Sequence, residues 1–81
     1  MYEELIKKLE RGRELVKELN RLKKDGMMEE YSLIESELDD IMADASEKIA
    51  MISDDDLDLK KVYILDLYAS INTFRDVSEV L

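Results

Sequence analysis

The 81-residue chain predicts an all-α fold, an up-down-up bundle of three helices at about 2–24, 27–52 and 57–79. Three features carry that expectation. Proline is absent and glycine occurs only at Gly12 and Gly26, so little interrupts long helices. Apolar residues recur at helical spacing in three stretches. Between those stretches lie two short breaks, at Gly26 and at Ser53-Asp54-Asp55-Asp56. Tight connections place each helix beside the one before it, and no tract resembles a linker, so residues 1–81 are expected to form one domain.

In helix one, Tyr2, Leu5, Leu9, Gly12, Val16 and Leu19 alternate at spacings of three and four, the seam of a closely packed helix. Ile6, Leu15 and Leu22 widen that stripe enough to meet two neighbours. Gly12 on the seam costs about 1 kcal/mol relative to alanine, so a bulky side chain is expected to pack over it. Glu3–Lys7 and Glu4–Lys8 have the favoured i,i+4 order for ion pairing. Lys7, Lys8, Arg11, Lys17 and Arg21 alternate with Glu10, Glu14 and Glu18, so pairing along the helix is expected to consume most of the charge. Lys23 and Lys24 followed by Gly26 mark the stop, with Gly26 suited to a left-handed cap.

Helix two begins with Glu29 and Glu30, which suit the positive end of a helix dipole. Advancing about 100° per residue, Tyr31, Ile34, Leu38, Ile41, Met42, Ala45, Ile49 and Ile52 share one face. Glu29, Glu30, Glu37, Asp40, Asp44 and Glu47 lie opposite, and Leu33 and Met51 interrupt that acidic face. Solvation alone accounts for the carboxylates. The two apolar residues point further, because a binding surface sets apolar anchors among polar groups.

Asp55 and Asp58 have the spacing of a capping box at the start of helix three, and Asp or Ser can cap it singly. Tyr63, Ile64, Leu67, Tyr68, Ile71 and Phe74 form a broad apolar face, with Val62, Leu65 and Ala69 beyond its edge. Local propensity in Val62–Leu65 also tolerates a strand, but a lone strand has nothing to pair with. So much apolar surface makes helix three either the central element of the bundle or the seat of self-association through Tyr63, Ile64, Leu67, Tyr68 and Ile71. Asp66 is expected at the bundle rim.

The composition excludes much chemistry. Without histidine or cysteine there is no imidazole base, no Ser-His-Asp or Cys-His arrangement, no disulfide and no soft metal ligand. No enzymatic activity, cofactor or metal is expected. The run Asp54-Asp55-Asp56-Leu57-Asp58 resembles a magnesium–diphosphate motif and the start of a calcium loop. Leu59 and Leu65 stand where a calcium loop needs glycine and glutamate. A bundle this small is expected to lack a cavity for a diphosphate, and capping explains the run.

The net charge of −9 is uneven: +2 over residues 1–25, −7 over 26–53 and −4 over 54–81. That balance argues against direct nucleic-acid binding, which needs basic groups on phosphates. No apolar run spans a bilayer and the first residues lack a signal-peptide pattern, so a cytoplasmic location, in a cell or an infected host, is the expectation. An acidic surface suits a basic protein partner. The expected function is a small protein-interaction module, an inhibitor or modulator that docks Glu30, Leu33, Glu37, Asp40, Asp44, Glu47 and Met51 on a basic protein. Carboxylates in a row imitate phosphates, so a nucleic-acid-binding target such as a nuclease fits, and a phage or other mobile element suits as source. The alternative is a structural or assembly protein that dimerises through helix three.

Overall fold

The structure, a computed structural model, describes residues 2–53, 55 and 58–80, with side chains described as far as Arg75. It contains three helices, α1 (Tyr2–Asp25), α2 (Met28–Ala50) and α3 (Leu59–Val80), and no strand among the described residues. Val62–Leu65 is helical.

The end of α1 follows from its last residues. Gly26 takes φ +71°. Its N–H donates to the Lys23 carbonyl at 3.3 Å, and the Met27 N–H donates to the Leu22 carbonyl at 3.0 Å. This is the paired Schellman arrangement, which satisfies two of the carbonyls a helix end leaves open. The chain then enters α2 with Met27 at the N-cap and no side-chain cap, so the dipole is met by Glu29 and Glu30 alone. α2 stops two residues short of the expected Ile52, where Met51 closes the last turn through its N–H to the Lys48 carbonyl.

α3 starts two residues later than expected. Asp58 Oδ1 accepts the Lys60 N–H at 2.9 Å, so Asp58 itself caps the helix. Asp55, the expected first member of a capping box, donates its N–H to Ser53 Oγ at 3.2 Å. Asp54, Asp56 and Leu57 of the acidic run lie outside the described residues.

One core joins the three helices. It contains Leu5, Leu9, Leu15, Val16 and Leu19 of α1, Leu38, Met42 and Ala45 of α2, and Ile64, Leu67 and Ile71 of α3. α1 is the central element: α2 and α3 both pack along it and scarcely touch one another. This replaces the expectation that α3 is central. The physical reason is stripe width, since the buried residues of α1 include Leu15 and Leu22 on one flank and Leu9 on the other. Gly12 sits where the three helices meet. A Cβ there would lie 3.5 Å from Leu38 Cδ1, Ile41 Cγ2 and Ile71 Cδ1.

Candidate interaction surface

α2 carries the acidic surface because most of its large apolar residues serve α1 and the core. Leu38, Met42 and Ala45 are buried, with Tyr31, Ile34, Ile41 and Ile49 packed against them. The opposite side of the helix is thereby turned to solvent. Leu33 and Met51, 72% and 80% exposed, stand on it as bare apolar side chains. Eighteen residues separate them, five helical turns or about 27 Å, so they mark two ends of one line. Asp40 and Glu47 lie along that line, and both are exposed. Glu30 is exposed near the Leu33 end.

The acidic residues fall into two groups. Asp44 accepts from Lys8 of α1 at 2.5 Å and from Lys48 one turn on at 3.1 Å. Its carboxyl is held below the usual range, first by the Lys8 hydrogen bond and then by that of Lys48. Glu37 faces Arg11 of α1 at 3.5 Å. Asp39, on the other flank, holds Arg75 of α3. Glu30, Asp40 and Glu47 have no such pairing among the described residues. The expected docking set thus divides: Glu37 and Asp44 tie α2 to α1, while Glu30, Leu33, Asp40, Glu47 and Met51 face outward.

Pairing within α1 is only part of what helix-one charges do. Lys17–Glu14 and Arg21–Glu18 pair along the helix. Glu3 reaches Lys60 of α3 in place of Lys7, and Lys8 reaches Asp44. The Lys60 ammonium is the main cause that pulls the Glu3 carboxyl down to about 2.

The residues expected to mediate self-association are mostly interior. Ile64 and Ile71 are fully buried and Leu67 is nearly so, all within the core of the single chain, and Tyr68 is half-buried against it. Only Tyr63 of that set is exposed. The reason is angular: Ile64, Leu67 and Ile71 lie within about 60° of one another on the helix, and that sector faces α1. The outer surface of α3 instead shows Leu59, Val62, Leu65 and Phe74 beside Tyr63, with Asp66 exposed among them.

A cleft of about 470 Å³ opens at the end of the bundle where α1 begins and α2 stops. Tyr2, Leu5, Met51 and Ile52 give it apolar walls, and Glu4, Lys48 and Ser53 complete the lining. Its largely apolar lining, with Glu4 in it, is not that of a diphosphate site. The cleft arises because α2 unwinds at Met51 and Ile52 while the start of α1 continues beside them. Sequence reasoning assigned no role to Tyr2 or Ile52 beyond the core; the stagger of two helix ends is not written in either helix.

Among the described residues no group of acidic side chains converges as a metal site requires, and no helix is long and apolar enough to cross a membrane. Compared with known proteins, the chain matches no family model, no curated sequence and no solved structure.

Proposed function

We propose that this chain is a protein-interaction module, an inhibitor or modulator that docks the outward face of α2 on a basic protein surface. The observation that carries the proposal is the line Leu33–Asp40–Glu47–Met51: two bare apolar side chains about 27 Å apart, with unneutralised carboxylates between them. Each exposed apolar side chain on a monomer is ordinary. Two in register on a helix face that also carries Asp40 and Glu47 suit anchor points within a charged rim. A row of carboxylates on that scale matches a basic groove built for phosphates, so a nucleic-acid-binding protein is the partner class that fits. A cytoplasmic setting, in a cell or an infected host, follows from that partner.

In this reading the helices run up-down-up. Lys8–Asp44 and Arg11–Glu37 step in opposite directions along α1 and α2, whereas Glu3–Lys60 and Gly12–Ile71 step in the same direction along α1 and α3. The test is a double substitution, Asp40→Lys with Glu47→Lys, in an affinity capture from the native host read by mass spectrometry. The wild-type chain should retain a basic protein that the variant loses, with the far-UV circular dichroism of both unchanged. Equal retention by the variant refutes the docking face. Asp44 is left intact because its carboxylate holds Lys8 and Lys48.

A second reading rests on Leu59, Val62, Tyr63 and Phe74, exposed on the outer side of α3. In it the chain self-associates through that surface as an assembly protein. Sedimentation velocity across a wide concentration range separates the two readings: a monomer throughout removes self-association, and a dimer dispersed by Val62→Lys supports it.

A further inference from the structure

We infer that the cleft at the Met51 end of α2 receives a bulky apolar side chain from a lysine- or arginine-rich segment of the partner; this rests on the docking face proposed above and fixes where its anchor enters.

Met51 belongs to both features. It ends the outward line of α2 and also walls the cleft, one helical turn beyond Glu47. A segment lying along Asp40 and Glu47 therefore runs directly into the opening. The cleft volume, about 470 Å³, is within the range of about 300–1,000 Å³ that holds a compact ligand group. Most of its wall is an aromatic ring and three aliphatic or thioether side chains, which favour an apolar occupant.

Charge selects the flanks of that occupant. Glu4 lines the cleft, Glu47 precedes it on α2, and Asp55 stands exposed just past Ser53. Lys48 is the cationic residue of the lining, and its ammonium, 3.1 Å from Asp44, shares that carboxylate with Lys8. What Lys48 offers the cleft is its methylene stem. An apolar anchor with cations on the Glu47 side satisfies both halves of the site. An acidic segment meets repulsion there, and a second copy of this chain, at net −9, brings the same sign.

Two synthetic peptides test the inference against the full chain: one lysine-rich and ending in a Leu-Phe pair, the other with that pair replaced by alanines. Amide shifts are followed by NMR as each is titrated. The anchored peptide is expected to bind about tenfold tighter, the loss typical when a buried apolar anchor is truncated. Its largest shifts should fall on Tyr2, Leu5, Met51, Ile52 and Ser53. Met51→Ser, at a position 80% exposed, should reduce its affinity to that of the alanine peptide without altering the helical spectrum. Equal binding of both peptides, with shifts confined to Leu33–Glu47, overturns the cleft inference and leaves the docking face standing. Equal binding of an uncharged Leu-Phe peptide overturns the choice of a basic occupant. No binding by any of them counts against the cleft and the docking face together.

Discussion

Replacing Gly12 with alanine should stabilise the protein, although glycine at a three-helix junction suggests a close approach that forbids any side chain. The distances decide. The added Cβ would stand 3.5 Å from each of three side-chain carbons, Leu38 Cδ1, Ile41 Cγ2 and Ile71 Cδ1. That is ordinary van der Waals separation, so the methyl group enters without displacing its neighbours. Gly12 lies in mid-helix, where alanine is preferred by about 1 kcal/mol. The full gain is therefore expected, and for a domain of this size it raises the melting temperature by about 4–8 °C. Urea unfolding followed by circular dichroism measures it. Gly12→Leu supplies the contrast: its branches have no space among carbons already in contact, and overpacking of this kind costs about 1–3 kcal/mol. A Gly12→Ala chain that is less stable than wild type refutes the reasoning, because the helices must then approach more closely than these distances allow. Equal gains from alanine and leucine refute it from the other side, by showing that the junction is loose.

Other expectations follow from single sites. Gly26→Ala meets no steric neighbour, yet the left-handed φ of +71° should lower stability by about 1–2 kcal/mol in the same assay. Leu38→Ala, at a fully buried core position, should cost about 2–5 kcal/mol, enough to unfold much of so small a domain at room temperature. Arg13 Nε is buried without a hydrogen-bond partner, so Arg13→Met should leave stability unchanged or raise it by up to about 1 kcal/mol; a clear loss would mean that the guanidinium is bonded. Acid should weaken the fold in a defined window. Glu3 is lowered from its ordinary 4.5 to about 2, so its contribution is complete above 4.5 and disappears as the pH falls towards 2. Asp44 and Glu18 are lowered too and act in the same direction. Urea midpoints measured through that interval should fall less steeply in Glu3→Gln than in wild type.

What could be read from the residues was governed by local rules. Gly26 after two lysines announced a left-handed cap, and the Lys23 and Leu22 carbonyls are satisfied through it. Periodicity placed Leu38, Ile64 and Ile71 in the interior, and the seam predicted large side chains over Gly12. Partner choice was not legible in the same way. Lys8 sits one turn from Glu4 and also on the flank of α1 that meets α2, so sequence spacing favours one partner and packing supplies Asp44. The cleft depends on where α2 stops relative to the start of α1, a relation between segments about 50 residues apart in the chain. Tyr63 and Phe74 share the apolar face of helix three, about 80° and 60° from Ile71, yet both are exposed although Phe74 lies within about 20° of buried Leu67.

The central position of α1 explains why the outward face of α2 retains its charge. The helix with net positive charge is the one both neighbours pack upon, and two of its cations reach the near edge of α2. Lys8 and Arg11 hold Asp44 and Glu37. Arg75 of α3 takes Asp39 on the opposite flank. Neutralisation therefore proceeds inward from both flanks and stops at the core-distal line, where no basic residue of another helix can reach. Asp40 and Glu47 stand on or beside that line. A purely solubilising surface needs net charge but no such sorting by position. A docking surface does, because only carboxylates left unpaired by the protein's own lysines and arginines can be paired by another protein's.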